Sequence, residues 1–424
     1  MMKRALKWLM GALLVLVAAA ALVWVLNVRD ESDIRDVAAN PAGAELIARG
    51  AYLARAGNCM ACHTPRGGEP YAGGRAIETP YGAVYTSNLT PDEKSGIGSW
   101  SPAHFWRAMH NGRSKDGRLL YPAFPYTSYT QVTRSDSDAL FAYLRSLPAV
   151  FKPNHAHTLR FPFDSQAALA VWRALYFKPG VHQPDPIRSA EWNRGAYLVQ
   201  GLGHCSACHS ARNALGATTA GLDLAGGLIP MQNWYAPSLA SPHEAGVADW
   251  DRGDIVSLLK DGVSKRGSVS GPMAGVVLGS TQYLTPDDLS AMAQYLKELP
   301  PSTASPLSAA EATGSAAGAK LYEQHCAGCH GLKGDGVPNA YPALAGNRAV
   351  TMEQTSNLVQ IVLHGGFAPA TQGNPRPFGM PPFVLVLKDI EIAAVLTHLR
   401  QSWGNQASSV TALEVNRIRA NQGN

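Results

Sequence analysis

The pattern of hydrophobic and polar positions first predicts a membrane-spanning helix at the N-terminus. Three basic residues within 1–7 precede an uncharged run over 8–28, and a charged triplet at 29–31 follows it. At a rise of about 1.5 Å per residue, this run can cross a hydrocarbon core of about 30 Å. Because the basic residues precede the run, we expect a cytoplasmic N-terminus and an exported remainder.

A cleaved signal peptide is the alternative for this segment, with the alanines at 18–20 as its cleavage site. Cleavage there would leave an apolar mature N-terminus over 22–26, which favours a retained anchor. Both alternatives place the rest of the chain outside the cytoplasm.

Three amphipathic helices, at 135–147, 285–299 and 389–399, are the next elements that the pattern predicts. Their apolar residues recur at spacings of three and four, which gives each helix one buried face. The Thr-Pro-Asp-Asp sequence at 285–288 is a strong start for the middle helix.

A related segment opens each of the three stretches of chain that these helices close. It reads Arg-Gly-Ala-Tyr-Leu at 49–53 and at 194–198, and a weaker version, Gly-Ala-Lys-Leu-Tyr, occupies 318–322. We expect each segment to be a short helix that ends where the sequence motif described next begins.

That motif is Cys-x-x-Cys-His, the attachment signature of c-type haem. The two thiols, one helical turn apart, would add to the vinyl groups of haem, and the histidine would ligate the iron as proximal ligand. The residues are Cys59, Cys62 and His63, then Cys205, Cys208 and His209, then Cys326, Cys329 and His330.

Two other chemistries use a Cys-x-x-Cys pair, a thioredoxin-like redox centre and a zinc ribbon. A redox function would not explain why a histidine follows the second cysteine in all three motifs. A ribbon pairs its motifs within one small domain, whereas these motifs begin at 59, 205 and 326. The motifs use all six cysteines of the chain, and the prediction is three covalently bound haem c groups.

Length and composition fit three small domains around a cofactor. The chain has 424 residues, 46% of them hydrophobic, and its 41 glycines and 29 prolines fit short helices joined by long loops. The formal net charge is only +5, so nucleic acid is not an implied partner. Covalent haem attachment is typical of bacterial proteins that mature outside the cytoplasm. The motifs therefore predict a periplasmic location.

A unit of helix, haem motif, loops and helix, with its first and last helices crossing, resembles the class I cytochrome c domain. The resemblance covers 46–148, 190–300 and 312–403. It implies an all-α fold of three tandem class I domains behind an N-terminal transmembrane helix within 1–31.

Four segments lie outside these domains. Residues 32–45 are predicted to be a tether, 300–313 a second linker, and 404–424 a polar tail that is disordered or wraps a partner. Residues 149–189 contain an apolar helix with several aromatic residues. This helix is either a linker packed on a haem domain or an aromatic surface near the membrane or a quinone.

In class I domains a methionine shortly before the last helix binds the iron opposite the histidine, where its thioether raises the potential. Met273, in Gly-Pro-Met-Ala at 271–274, and Met380, in Gly-Met-Pro-Pro-Phe at 379–383, resemble that pattern. Packing roles are the alternative for both. The first domain has Phe124 at this place, and a phenyl ring cannot coordinate iron.

The first haem is therefore either five-coordinate or ligated from elsewhere. Alignment of the three domains places Met109 opposite Leu259 and Leu363, and in class I domains that leucine leans over the distal face of the haem. His110 is the alternative ligand. The two neighbours point about 100° apart on a helix, so at most one of them can face the iron. Met109 is the favoured candidate, ahead of an open iron and of His110.

Three such domains behind one anchor resemble the triheme cytochrome c subunit of bacterial membrane-bound dehydrogenases. The matching stretches are Tyr-Thr-Ser-Asn-Leu-Thr at 85–90, Gly-Arg-Leu-Leu-Tyr-Pro-Ala at 117–123 and Thr-Gln-Tyr-Leu-Thr at 281–285. The resemblance implies a catalytic partner that oxidises alcohols, aldehydes, sugars or N-heterocycles. That partner carries pyrroloquinoline quinone, flavin or a molybdenum cofactor, in some complexes with a small iron–sulfur subunit.

In that family electrons pass through the three haems to ubiquinone or a terminal oxidase. The resemblance thus implies an inner-membrane protein with one N-terminal span, periplasmic haem domains and no catalytic site of its own. Two alternatives stay open. One is a stand-alone haem enzyme, a peroxidase or sulfur-compound oxidase that uses an open first haem. The other is a cytochrome subunit of a terminal oxidase, although such subunits usually carry one or two haems.

Overall fold

The structure is a computed structural model, and the residues that it describes fall in seven ranges. These ranges are 2–29, 31, 34, 42–219, 223–302, 315–338 and 340–420. The tether predicted over 32–45 and the linker predicted over 300–313 lie largely outside them.

Helices dominate the described chain. They are α1 (Met2–Val28), α2 (Ala44–Ala56), α3 (Cys59–His63), α4 (Pro102–Asn111), α5 (Tyr126–Tyr129), α6 (Arg134–Arg145), α7 (Gln166–Tyr176), α8 (Ala190–Ala196), α9 (Ser206–His209), α10 (Arg252–Asp261), α11 (Gly271–Gly279), α12 (Pro286–Lys297), α13 (Ala316–His325), α14 (Ala327–His330), α15 (Arg348–Thr351), α16 (Ser356–His364), α17 (Asp389–Gln401) and α18 (Ala412–Ala420). A π-helical turn over Tyr197–Leu202 continues α8, and a 3₁₀ turn over Thr281–Tyr283 follows α11.

Short antiparallel strands lie between the helices, so the all-α prediction is incomplete. They are β1 (Ala76–Thr79), β2 (Gly82–Tyr85), β3 (Thr158–Leu159), β4 (Gly227–Ile229), β5 (Trp234–Ala236), β6 (Val263–Ser264), β7 (Gly267–Ser268), β8 (Gly366–Phe367) and β9 (Gly379–Met380). The first three form one sheet in the order β1-β2-β3, with Thr79 opposite Gly82 and Gly82 opposite Leu159. The others form hairpins, β4-β5, β6-β7 and β8-β9.

The chain divides into two compact units. The first contains the described residues up to Ala54 together with Cys59–Gln183, and the second contains Arg55–Asn58 and the described residues from Pro184 onward. The first Cys-x-x-Cys-His motif lies in the first unit, and the other two motifs lie in the second.

The helix before each motif crosses the amphipathic helix that closes the same stretch, and a glycine lies at each crossing. A Cβ atom added to Gly50 of α2, Gly195 of α8 or Gly318 of α13 would overlap a backbone carbonyl oxygen of α6, α12 or α17. Only glycine allows the two backbones to approach this closely. The related opening segments are therefore the contact points of three equivalent helix pairs.

Ion pairs flank two of these crossings. Arg49 donates to Asp136 with its Nε at 2.9 Å, and Arg194 donates to both carboxylate oxygens of Asp288 at 2.7 Å. The predicted start of α12 is confirmed, because Thr285 is its N-cap and accepts a hydrogen bond from the Asp288 backbone N–H at 3.2 Å. This bond satisfies one of the N–H groups that the first turn of a helix leaves unpaired.

Most of the segment predicted to be a linker, 149–189, is part of the first unit, which ends at Gln183. Its strand β3 pairs with β2, and its helix α7 packs against α1 and the rest of the unit. Arg173 of α7 is buried and donates from Nη2 to the Asn111 carbonyl at 2.7 Å. Its guanidinium also lies over the rings of Tyr126 and Phe177. The interpretation of this helix as one packed on a haem-binding region agrees with these contacts.

The polar tail also folds, up to residue 420, so the expectation of disorder is wrong for those residues. Helix α18 packs against α16 and α17, with Val415 fully buried. Arg400 of α17 is almost completely buried and donates to the carbonyls of Val350 and Met352 at 2.7 and 2.8 Å and to that of Ser408 at 2.6 Å. The tail is therefore bonded to the helix that closes the third stretch.

Candidate haem-attachment sites

Each Cys-x-x-Cys-His motif is wound into a single helical turn. The first forms α3, and the second and third form α9 and α14, each with its first cysteine at the N-cap position. Residues three apart lie on one face of a helix, so both thiols of a motif face the same side. None of the six cysteines forms a disulfide bond.

All three motif histidines make the same hydrogen bond. Nδ1 of His63, His209 and His330 lies 2.7, 2.7 and 3.0 Å from a backbone carbonyl oxygen, that of Ser87, Pro237 and Pro342 respectively. A carbonyl oxygen can only accept, so Nδ1 carries the proton and Nε2 keeps the lone pair that a metal needs. Such a bond also fixes the plane of the ring, as second-shell partners do at metal sites.

These three carbonyl partners were not predicted from the sequence, although a signal for them exists. Each partner residue is followed two positions later by a leucine, in Ser-Asn-Leu at 87–89, Pro-Ser-Leu at 237–239 and Pro-Ala-Leu at 342–344. The pattern recurs downstream of every motif. It is too short to be noticed without knowing where the histidine ring lies.

Burial sets the protonation state of the site residues. It lowers the pKa of His63, His209 and His330, so the imidazoles are neutral at neutral pH, which is the form that ligates metals. Burial also raises the pKa of the Cys59 and Cys205 thiols to about 12. Burial at these two positions thus disfavours the charged thiolate. Within the described part of the chain, no group of three or more His, Cys, Asp or Glu residues could hold a metal ion.

Tyr129 is a second feature of the site that was not predicted. Its side chain is buried beside the first motif, where burial and then the neighbouring Cys59 and Cys62 thiols raise its pKa well above the usual range. The ring of Phe124 packs on it at a centroid distance of 5.3 Å. Aromatic side chains therefore line the first site at the place where the other sites have a methionine nearby in sequence.

The predicted distal residues of the first site lie at the C-terminal end of α4. Met109 and His110 are both buried. The His110 ring stacks on Trp106 at 4.4 Å and 9°, and its Nδ1 donates to the Thr130 carbonyl at 2.8 Å. The surrounding protein thus holds the His110 ring on its face and on one edge.

The other two predicted distal residues are half-buried and lie in different local structures. Met273 is in the first turn of α11, where the preceding Gly271 packs against the Trp234 ring. Met380 is in β9, opposite Gly366 of β8, and packs against the hydrophobic core of the third stretch.

Comparison with known proteins identifies the family. A family model for cytochrome c matches residues 47–148, 193–300 and 315–403, and each range encloses one Cys-x-x-Cys-His motif. The chain belongs to the cytochrome c family. Cytochrome c domains bind haem c covalently, and the paired thiols and carbonyl-oriented histidines described above fit that cofactor.

Relatives that span almost the whole cytochrome are subunits of dehydrogenases. The cytochrome c subunit of the quinone-dependent alcohol dehydrogenase of Gluconacetobacter polyoxogenes is 40% identical over 89% of this chain and 85% of its own. The gluconate 2-dehydrogenase cytochrome c subunit of Pantoea cypripedii is 37% identical over 95% and 97%. A much longer relative, one of the subunits of nicotinate dehydrogenase from Pseudomonas putida, is 41% identical over 90% of this chain but only 32% of its own. These similarities confirm the predicted resemblance and do not favour either alternative function.

Proposed function

We propose that this cytochrome carries three haem c groups in three tandem class I domains and transfers electrons within a membrane-bound dehydrogenase complex. The observation that carries the proposal is a threefold repetition. Each stretch has a motif helix, a histidine held through Nδ1 by a backbone carbonyl, and a helix pair that crosses at a glycine. Relatives of matching length with dehydrogenase names support the role.

The residues at each site would have different roles in binding the haem. The two cysteines fix the cofactor covalently, and the histidine supplies Nε2 to the iron on the proximal side. Met273 and Met380 are proposed as distal ligands in the second and third domains, where a thioether raises the iron potential and excludes external ligands. When bound, haem c supplies an iron that accepts and releases one electron.

Met109 is proposed as the distal ligand of the first haem. His110 already gives its Nδ1–H to Thr130 and stacks flat on Trp106, which favours a role for His110 in packing. Met109 is the neighbouring buried side chain, at the position of Leu259 and Leu363 in the other stretches. With Met109 in place, the first iron would be closed to external ligands, unlike that of a peroxidase.

The partner is proposed to be a catalytic dehydrogenase subunit that binds the substrate itself, with or without a small iron–sulfur subunit. Relatives bear the names of alcohol, gluconate, fructose and nicotinate dehydrogenases. The alcohol dehydrogenase among them is named as quinone-dependent, and the family resemblance implies a quinone, flavin or molybdenum cofactor in the partner. Ubiquinone or a terminal oxidase is the proposed acceptor.

The isolated holoprotein should hold three haems, titrate in three one-electron steps and oxidise no alcohol, aldehyde, sugar or N-heterocycle. Addition of the catalytic subunit should make haem reduction dependent on substrate. Haem content by pyridine haemochrome, a redox titration and stopped-flow absorbance test this. Substrate turnover by the isolated chain would overturn the electron-transfer function.

The proposed location is the periplasmic side of the inner membrane, held by a retained anchor. Helix α1 is long and apolar enough to cross a bilayer. We expect the purified protein to keep its N-terminus and to need detergent, because a retained span keeps its apolar surface exposed. N-terminal sequencing that starts near Ala21, with a protein that is soluble after lysis, would show that the segment is a signal peptide.

A further inference from the structure

Helix α7 has one buried face and one exposed apolar face. Leu169 and Arg173 are buried against the first unit, whereas Val171 and Leu175 are 48% and 65% exposed. Ala167, Val171 and Leu175 follow one another at intervals of four and form a stripe along the helix, which we call the α7 stripe. Within the described part of the chain, the side chains of the stripe stay largely uncovered.

Hydrogen bonds fix α7 against the end of α1. The Asn27 amide donates from Nδ2 to the Ala170 carbonyl at 2.9 Å and accepts at Oδ1 from Arg173 Nε, also at 2.9 Å. Arg29 donates from Nη2 to the Phe177 carbonyl at 2.7 Å. The middle of α7 is therefore bonded to the last turn of α1, and the C-cap of α7 is bonded to the residue that follows α1.

The same end of α1 is tied to the helix that carries Met109. Glu31 lies 3.0 Å from Arg113 Nε and 3.4 Å from Arg107 Nη1, and all three side chains are largely buried. Arg173 reaches the Asn111 carbonyl at the end of α4 at 2.7 Å. The polar groups between α1, α4 and α7 thus form one network that holds these helices together.

This network determines the depth of the α7 stripe if α1 spans a bilayer. A helix bonded to the last turn of a span lies at the boundary between headgroups and acyl chains, where interfacial helices insert their apolar face by about 5–10 Å. Trp24 in α1 and Trp172 and Tyr176 in α7 are of the residue types that are enriched at that boundary.

We propose that the α7 stripe lies in the lipid boundary of the membrane and holds the first haem domain on the bilayer surface. Lipid is the occupant that fits, rather than a protein partner, because the stripe is continuous with the end of the span. The proposal rests on the retained anchor of the proposed function. The α4 helix, with the proposed ligand Met109, would then be fixed relative to the membrane in which a quinone acceptor dissolves.

Photolabelling by lipid tests this proposal. The full-length holoprotein is placed in nanodiscs that contain a phosphatidylcholine with a diazirine on its acyl chain, irradiated, digested and mapped by mass spectrometry. Peptides of α1 should be labelled as a positive control, and peptides that contain Val171 and Leu175 should be labelled as well. The peptide with Leu385, which is 96% exposed, is the matched control for an apolar residue on another surface. We expect about five-fold more label on the α7 stripe than at Leu385.

A double variant distinguishes direct contact of the α7 stripe with lipid from labelling that arises only because α7 lies near α1. In V171D/L175D the label on α7 should fall by about five-fold, because a charged stripe leaves the acyl region, while the label on α1 stays unchanged. L385D should change neither. Both variants must retain three haems, which shows that the domains fold.

Three outcomes would overturn the proposal. The first is an amount of label on α7 no higher than that on the Leu385 peptide, and the second is label on α7 that persists in V171D/L175D. The third is loss of the α7 label when the catalytic subunit is bound, which would assign the stripe to a protein partner. Absence of the α1 peptides from the mature protein would refute the retained anchor and the proposal with it. Labelled α1 with unlabelled α7 would refute the proposal and leave the anchor and the electron-transfer function standing.

Discussion

Replacing Met109 by leucine should convert one haem of the three to a high-spin form that binds carbon monoxide and leave the other two unchanged. Leucine has nearly the same volume as methionine, so the buried position between α4 and its neighbours keeps its packing and costs less than about 1.5 kcal/mol. Only the thioether is lost, so the sixth coordination position of the first iron would be open if Met109 is its ligand, as proposed. Optical spectra of the ferric and ferrous protein, with and without carbon monoxide, measure the effect.

Met352→Leu is the matched control for this experiment. Met352 is as deeply buried as Met109 but is not proposed to ligate any haem iron. Its variant should bind no carbon monoxide and should show the wild-type spectrum. If M109L also shows that spectrum, Met109 is not the ligand, and His110→Gln becomes the variant to make. Carbon monoxide binding by the wild type would mean that the first iron is open from the start.

Replacing Gly195 by alanine should destabilise the second haem domain by about 2–3 kcal/mol. The added methyl group would overlap the Ala291 carbonyl at the crossing of α8 and α12, and a backbone oxygen cannot move aside as a flexible side chain could. The two helices must separate, which loosens the packing between the motif helix and the closing helix. Denaturant titration followed by haem absorbance should show an earlier transition for one haem.

Gly253→Ala makes the same chemical change in α10 of the same domain. A Cβ atom at Gly253 would meet nothing within 4 Å, so alanine should be neutral or stabilise the helix by up to about 1 kcal/mol. The difference between the two variants isolates the crossing from the general effect of glycine replacement. Equal stability of G195A and G253A would contradict a role for the glycine in the helix crossing.

The parts of the molecule that could be predicted are those with a local signal in the sequence. The uncharged run indicated α1, spacings of three and four indicated α6, α12 and α17, and the Thr-Pro-Asp-Asp sequence indicated the start of α12. A covalent motif is also local, since its five residues form one helical turn. The short strands were not predicted, because strands of two to four residues are too short to show a clear alternation of polar and apolar positions.

The parts that escaped depend on contacts between distant residues. Arg173 and Arg400 look like surface residues by composition, yet both are buried because backbone carbonyls from other segments surround them. The carbonyl partners of the three histidines likewise belong to other segments of the chain than the motifs. Side-chain bonds to the backbone leave almost no trace in residue type, since every residue has a carbonyl. The distal ligands remain predictions, because spacing along a chain does not specify the direction of a side chain.

The packing of α18 has a consequence for the order of events during biosynthesis. Arg400 and the core of the third stretch are closed by residues within 408–420, which are synthesised after the third motif. Until they arrive, the Cys326 and Cys329 thiols belong to a domain that lacks part of its cover. The proposed third haem would therefore meet its two thiols before α18 covers this domain, and the packing of α18 would follow haem attachment.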